Sequence, residues 1–436
     1  MRFFVQIAFA AVTALVGSSW ASPLPLTVDP NGGALTISAN NTVNATTPFT
    51  GEVAPQTGGL TLDLVNNLSG GQVNCYITGS DSNGALVLLQ PNGQFFYPSC
   101  DSATTPQAIT ANVAIPLGAY GSTTKITIPS YISAARVWFA QGDLTFFVLA
   151  GPNGGPTLVE PSAVNPSDPS AAVSWGFVEL TYTEAGGLFA NISYVDFVGL
   201  VLGMSLTCLD GTAQSALGLQ ATAVASICSA LKAQEAVDGQ PWGDLCVEST
   251  SGTPLRVLSP QDYISLNPDA FSSYYTSYVS SVWSHFASST LTIDTQASAG
   301  EVSCSVSGST LNCAGDNRGY AEPCAADIFG CNSGPFSIQS GDNGVHLAVV
   351  PRLCAAFARS TLLIDGGDSQ PGPASSEYYT ANPTNWYSKI VHEYEVDGKG
   401  YAFAYDDVTP DTGVNNAGVV ASSIPGTLTI TVGGPQ

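Results

Sequence analysis

The chain has 436 residues, and 10 basic against 33 acidic residues give it a net charge of −23 at pH 7. Such an acidic chain repels nucleic acid and anionic membranes, so neither is expected as a partner. Only 10% of its residues are charged, and a neutral polar surface suits an uncharged ligand rich in hydroxyl groups. The same composition is also ordinary for an acidic secreted protein that must stay soluble.

Residues 1–21 have the features of an export signal. Arg2 precedes an apolar run over residues 3–16, and Ser19 and Ala21 bracket Trp20 ahead of a cleavage site. We therefore expect a secreted monomer, located outside the cell or in the cell wall. Glycosylation sequons occur at Asn40, Asn44, Asn67 and Asn191.

Export would place the ten cysteines in an oxidising compartment, where an even count favours five disulfides. Metal ligation is the weaker alternative, because the chain has no C-x-x-C pair and its three histidines are not spaced as a zinc site. We expect neither a metal nor a cofactor. Each histidine is more simply interpreted as a hydrogen-bonded structural residue.

Residues 22–206 consist of short β-like runs separated by turn residues, which predicts a β-barrel or β-sandwich. Examples are residues 86–90, 125–128, 144–149 and 178–182. This part contains only Cys75 and Cys100 before the cysteine-rich region begins, so a local bridge between them is expected.

Residues 207–387 predict an inserted, disulfide-rich α/β domain. Apolar residues recur at helical spacing over residues 217–231 and 271–282, and Ser259-Pro260 and Asn267-Pro268 each resemble a helix start. Eight of the ten cysteines lie between Cys208 and Cys354. The expected fold is therefore mainly β, with an α/β insertion and a groove between the two parts.

Residues 388–436 are expected to return to strands and close the first β domain. In particular, residues 389–396 and 401–405 flank Asp397-Gly398-Lys399-Gly400, which predicts a hairpin. Asp406 and Asp407 would then follow a strand that leads into the groove. They are candidates for substrate hydrogen bonding, and turn or capping duty is the alternative.

The segment from Trp175 to Thr183 is the most informative. Strict alternation places Val178, Leu180 and Tyr182 on a core face, and the opposite face carries one carboxylate among aromatic rings and hydroxyls. Those groups are Trp175, Phe177, Glu179, Thr181 and Thr183. Aromatic planes and hydroxyls are suited to sugar rings, so this face is a candidate carbohydrate site.

A second acid, Asp196, follows on the returning strand. If Glu184-Ala185-Gly186-Gly187 forms a four-residue loop, Glu179 opposes Ile192 and Asp196 shares its face. The two backbones are then ~14 Å apart, from a rise of ~3.3 Å per residue and a strand spacing of ~4.8 Å. Inclined side chains could reach the ~6.5–9.5 Å separation of an inverting glycosidase but not the ~5 Å of a retaining one. Without other support, two such acids are more often scaffold, and Glu184 at the tip is a solvated turn residue.

Four stretches closely resemble glycoside hydrolase family 64: residues 177–182, 188–197, 386–393 and 397–408, although the turn between the first two is one residue longer than in the family. The resemblance implies an endo-acting β-1,3-glucanase with a thaumatin-like β barrel joined to a mixed α/β domain across a wide groove. It further implies that Glu179 is the general acid, that Asp196 is the general base and that Thr181 contacts glucan. Thr183 stands where some members have asparagine, and Phe189 replaces a stacking tryptophan.

The implied mechanism needs no cofactor: Glu179 donates a proton to the leaving glycosidic oxygen while Asp196 activates water on the opposite ring face. Asn191 lies beside the catalytic strand under this resemblance, so we expect a structural side chain with little glycosylation. A non-catalytic, thaumatin-like glucan-binding or defence protein is the alternative. The sequence leaves the product length, the biological role and the disulfide pairing open.

Overall fold

The computed structural model describes residues 58–151, 154–411 and 417–435. The predicted export signal and the sequons at Asn40 and Asn44 lie outside the described residues. Strands β1 to β12 are Leu60–Asn66, Val73–Asp81, Leu86–Leu89, Phe95–Phe96, Gln107–Ala108, Ile115–Pro116, Thr123–Ile128, Ile132–Gln141, Phe147–Ala150, Pro156–Val159, Ser174–Thr183 and Gly187–Ile192.

Strands β13 to β23 are Phe197–Val198, Leu202–Cys208, Ala213–Ala216, Cys246–Glu248, Pro254–Leu258, Leu291–Asp294, Glu301–Ser307, Thr310–Cys313, Ser369–Gln370, Val419–Ser422 and Pro425–Val432. Helices α1 to α6 are Ala223–Asp238, Pro260–Leu266, Thr276–Phe286, Ala325–Gly330, Gly344–Ala358 and Trp386–Tyr394.

Two sheets pack face to face around the larger hydrophobic core. The five-stranded sheet has the order β15-β14-β23-β1-β7, and the eight-stranded sheet runs β22-β12-β11-β8-β2-β3-β4 with β6 paired to β2. Both sheets keep free edges within the described residues, so the arrangement is an open sandwich and not a closed barrel. The mainly β organisation is confirmed.

The ends of the described chain meet in the five-stranded sheet, where β1 pairs in parallel with β23. Strand β22 extends the other sheet by pairing with β12. The strands that return to the first sheets are therefore β22 and β23. The proposed boundaries at residues 207 and 387 stay a prediction, because one continuous core includes both the sandwich and the helices.

The hairpin expected around Asp397 is wrong. Residues 386–394 form α6, whose first turn is capped by Asn385 accepting a hydrogen bond from the amide of Ser388. Tyr387, Ser388, Ile390 and Val391 are the buried positions, a spacing of three and four that suits a helix. Short apolar runs fit either period, and only the packing decided this one.

The helix starts were predicted with mixed success. Ser259 caps α2 by accepting from the amide of Asp262, with Pro260 at the first position, so that start is confirmed. Asn267 instead ends the same helix, and the next helix begins only at Thr276.

The disulfide expectation is wrong for four cysteines. The structure has bridges Cys228–Cys246, Cys304–Cys313 and Cys331–Cys354, and the remaining four thiols are free. Cys75 points into the core between the sheets, whereas Cys100 lies in a loop against the carbonyl of Gly154. The pleat directs Cys75 away from that loop, so a local bridge does not form.

Candidate active site

A row of polar residues crosses the outer face of the eight-stranded sheet. Glu179 on β11 lies directly opposite Arg136 on β8 and directly opposite Asn191 on β12. Arg136 in turn lies opposite Thr78 on β2. Directly opposed residues share a face, so the four side chains stand side by side.

The hairpin register differs from the expected one. Thr183 opposes Gly187, and the connecting loop has three residues. Gly187 has φ of 68°, and a Cβ there would lie 2.2 Å from the carbonyl oxygen of Ser422. Three-residue hairpin loops commonly place a left-handed glycine at this point. Glu179 therefore opposes Asn191 and not Ile192, and the parity argument that placed Asp196 on its face fails.

Asp196 is positioned by a different strand pairing. Strand β12 ends at Ile192, and the chain then turns before Phe197 pairs with Leu258 on β17. The next residue after Leu258, Ser259, donates its backbone N–H to the carbonyl of Asp196 at 2.7 Å. The start of α2 thus holds Asp196, bringing it to the carboxylates by a route that the hairpin does not determine.

Arg136 binds two carboxylates at once. Its Nε and Nη2 donate to Oε1 of Glu179 at 3.3 Å and 3.2 Å, and its Nη1 donates to Oε2 of Glu160. The side chains of Arg136, Glu179 and Glu160 are 14%, 13% and 26% exposed, so the cluster is recessed but reaches solvent. Asn191 completes it by donating to Oε2 of Glu179 at 3.4 Å.

The acids around Arg136 influence one another's ionisation. Burial raises the pKa of Asp196 to about 7, with Arg136 opposing the shift and the charges of Glu179 and Glu160 adding to it. Burial and the neighbouring Asp196 raise the pKa of Asp262 to about 8. Several carboxyl groups thus share one guanidinium, and some of them hold protons near neutral pH. A site of this kind can give and take protons.

The aromatic residues of β11 form the packed support of this face. Trp175 and Phe177 are buried, and Phe197 lies 4.6 Å and 5.9 Å from their ring centroids. The guanidinium of Arg136 lies 4.5 Å from the centroid of the Phe177 ring. These rings are enclosed by protein, so they orient the charged groups rather than offer a free plane to a sugar.

The two threonines and Phe189 continue the same face beyond Glu179. Thr181 opposes Phe189, and both are almost fully buried. The Thr181 hydroxyl accepts from the amide of Ala134, while the half-buried Thr183 uses its hydroxyl to hold the hairpin loop at Gly186. Alternation along β11 was therefore predicted correctly.

Asp406 and Asp407 lie in a turn and not at the end of a strand. Asp406 is buried and paired with Arg359 at 3.0 Å and with His392 at 2.9 Å. Asp407 is also buried, and burial raises its pKa to about 6 although Arg359 and Arg352 oppose this. The topology that gave both residues a route to the groove is wrong, and their contacts favour the structural alternative.

Sequence reasoning missed Arg136, Glu160 and Asp262. A basic residue within an apolar strand was an available signal for Arg136, because the chain has only 10 lysines and arginines. Asn191 was expected to be a structural side chain with little glycosylation, and in the structure it is 2% exposed and hydrogen-bonded to Glu179. No signal marked Glu160 or Asp262.

No helix in the part of the chain that the structure describes is long and apolar enough to cross a membrane. Within the same ranges, no three histidine, cysteine or acidic side chains are grouped so as to hold a metal ion.

Known proteins similar to this chain are β-1,3-glucanases. The model of a family described as beta-1,3-glucanase matches residues 58–432. A glucan endo-1,3-beta-glucosidase of Cellulosimicrobium cellulans is 28% identical over 283 residues, which are 63% of this chain and 48% of that protein. The chain thus spans about half the length of this curated relative.

Two solved structures share the fold. A laminaripentaose-producing beta-1,3-glucanase, crystallised with laminaritetraose, has 27% identity and a TM-score of 0.74, covering 86% of this chain and 98% of that one. A beta-1,3-glucanase domain from Clostridium beijerinckii has 22% identity and a TM-score of 0.67 with the same coverage.

Proposed function

The chain belongs to glycoside hydrolase family 64, the β-1,3-glucanases, and from this premise we propose that it hydrolyses internal linkages of β-1,3-glucan. The observation that carries the proposal is the convergence of Glu179 and Asp196 in one recessed cluster of charges. The two residues come from different strand pairings, and family membership directs attention to both.

We assign the general acid role to Glu179 and the general base role to Asp196. Glu179 gives its proton to the glycosidic oxygen as the bond from that oxygen to the anomeric carbon breaks. Asp196 takes a proton from the water that attacks the opposite face of the ring, so the product has the inverted configuration. No cofactor enters the reaction.

The ionisation of Asp196 sets the expected pH dependence. Its pKa is raised to about 7, chiefly by burial, so its base form accumulates as the pH approaches neutrality. We expect kcat/KM to rise with pH on an acid limb near this value. A profile that is flat from pH 5 to pH 7 would contradict the assignment of Asp196.

For substrate contacts we propose the face next to Glu179. Thr181, Thr183 and Phe189 continue that face along β11 and β12, and Thr183 is the most exposed of the three. A groove between a thaumatin-like sandwich and the helical, disulfide-bonded part would hold the glucan. We propose a secreted monomer, supported by the signal-like residues 1–21.

The test is hydrolysis of laminarin by the purified protein and by three variants. Glu179→Gln and Asp196→Asn should each lower kcat by at least about 100-fold, because each removes one proton-transfer group. Glu184→Gln is the matched control, since Glu184 is exposed at the hairpin tip. Proton NMR within the first turnovers should show the α anomer of the new reducing end.

Three outcomes separate the possibilities. Full activity of Glu179→Gln would end the assignment of that residue. An initial β anomer would show retention and refute the single-displacement mechanism. Binding of laminarin by the wild-type protein without release of reducing ends would select a non-catalytic glucan-binding protein.

A further inference from the structure

Glu160 reaches the charged cluster from outside the sheet that carries the catalytic candidates. It follows β10, which belongs to a small three-stranded sheet of order β10-β9-β5. From there its carboxylate accepts from Nη1 of Arg136, while the other edge of the same guanidinium binds Glu179. One cation is therefore shared between a catalytic candidate and a residue that no sequence pattern had marked.

The chain after Glu160 is firmly anchored. Pro161 follows immediately, and the amide of Ser162 donates to Oδ2 of Asp168 at 3.2 Å. Arg256, which is 1% exposed, donates to the carbonyls of Ala163, Ala171 and Val173 at 3.3 Å, 2.7 Å and 2.8 Å. This loop is fastened to β17, so Glu160 is held toward Arg136 by built structure and not by a free surface chain.

The charges in the cluster do not balance without protons. Glu160, Glu179 and Asp196 carry three negative charges when ionised, against one positive charge on Arg136. The groups that face Asp196 from each packed element are Arg136 on β8, Glu179 on β11, Glu160 after β10, Asp262 on α2 and Tyr387 on α6. An added negative charge makes ionisation of its neighbours harder, so Glu160 favours protonated carboxyl groups around it.

We propose that Glu160 is a positioning residue for glucan hydrolysis, because it draws one edge of Arg136 away from Glu179 and keeps a proton available in the cluster. The inference rests on the proposed function. Without Glu160, the whole charge of Arg136 would act on Glu179 and Asp196, and a general acid that loses its proton too readily is a poor donor at working pH.

Glu160→Gln tests this, because the amide keeps the size of the side chain and an acceptor for Nη1 but removes the charge. The pH profile of kcat/KM on laminarin should move toward lower pH on both limbs, by on the order of one unit. KM should change little, since the side chain is not proposed to touch glucan. Glu248→Gln is the matched control, because it removes a surface carboxylate that pairs with Lys232.

Carboxyl ¹³C NMR titration separates this inference from the proposed function. With the Asp196 signal assigned through Asp196→Asn, its titration midpoint should fall in Glu160→Gln whether or not the protein hydrolyses laminarin. A wild-type protein that does not hydrolyse laminarin would refute the proposed function but not the effect of Glu160 on Asp196. An unchanged midpoint in a folded Glu160→Gln variant would overturn the role of Glu160.

If Glu160→Gln does not fold, Glu160→Asp carries the test. The shorter side chain withdraws the carboxylate from Nη1, so a smaller shift in the same direction is expected. A profile and midpoint identical to those of the wild type would overturn the inference. If Glu160 had a purely structural role, the variant would be less stable but both limbs of its kcat/KM pH profile would stay at the wild-type pH values.

Discussion

Replacing Arg136 by methionine removes the only cation that contacts Glu160 and Glu179 among the residues that the structure describes. Methionine keeps much of the aliphatic length of arginine, so the change chiefly removes the charge. The two carboxylates would then face each other and Asp196 without a counter-ion. Breaking a buried ion pair from one side costs ~3–5 kcal/mol, because the other partner is left unpaired.

The cost of breaking the ion pair at this site should lie at or below the lower end of that range. The three side chains are 13% to 26% exposed, and water reaching them stabilises part of the unpaired charge. Loss of the guanidinium over the Phe177 ring adds ~0.5–1 kcal/mol. We therefore expect the free energy of unfolding at pH 7 to fall by about 2–4 kcal/mol. At pH 4 Glu160 and Asp196, whose pKa values are raised chiefly by burial, hold protons more readily, and the loss should shrink to about 1 kcal/mol.

Urea unfolding followed by circular dichroism at pH 7 and pH 4 measures both values. Lys125→Met is the matched control, since it breaks a surface pair with Asp63 in which the lysine is 71% exposed. Such pairs contribute little, so the control should behave like the wild type at both pH values. An Arg136→Met loss that is equal at pH 4 and pH 7 would refute the electrostatic reasoning.

Three further predictions concern pH, thiols and a glycine. Burial raises the pKa of Asp196 to about 7, and neighbouring acids raise the pKa of His392 well above its usual range although burial opposes them. Both groups therefore contribute stability at low pH that is lost as the pH rises. Thermal unfolding should show lower stability at pH 8 than at pH 5, and the reverse order would contradict this. Thiol titration of the denatured, unreduced protein should find four free cysteines, including Cys75 and Cys100. A result of no free thiol would instead support the five disulfides expected from the sequence. Gly187→Ala should cost about 2 kcal/mol more in urea unfolding than Gly84→Ala, which shares a positive φ but has open space around it; equal costs would show that the contact with β22 is unimportant.

Some features of the site were predictable because they follow from local periodicity. The pleat of a strand has a period of two, so Glu179, Thr181 and Thr183 had to share a face wherever β11 lay in the sheet. Asp196 was identified through resemblance, since the alternation used to place it depended on a loop length that was one residue too long. Gly187 takes the left-handed conformation and enters the ladder, and that single step moved the partner of Glu179 from Ile192 to Asn191.

Segments whose pattern fits two structures were resolved only by packing. Residues 386–394 contain apolar positions that suit a strand or a helix, and burial against the core selected the helix. Cys75 and Cys100 are close in sequence, yet the first points between the sheets and the second lies in an outer loop. Sequence separation carries no information about those directions.

The sequence by itself determined the acidic, mainly β character of the chain, the face of β11 and the two carboxylates worth testing. The tertiary structure decided which charges surround them. Arg136 comes from β8, Glu160 follows β10 and Asp262 belongs to α2, which are three separate elements of the fold. Ionisation depends on distances in space and on burial, neither of which local periodicity encodes, and therefore the proton balance at Glu179 and Asp196 became accessible only in the folded protein.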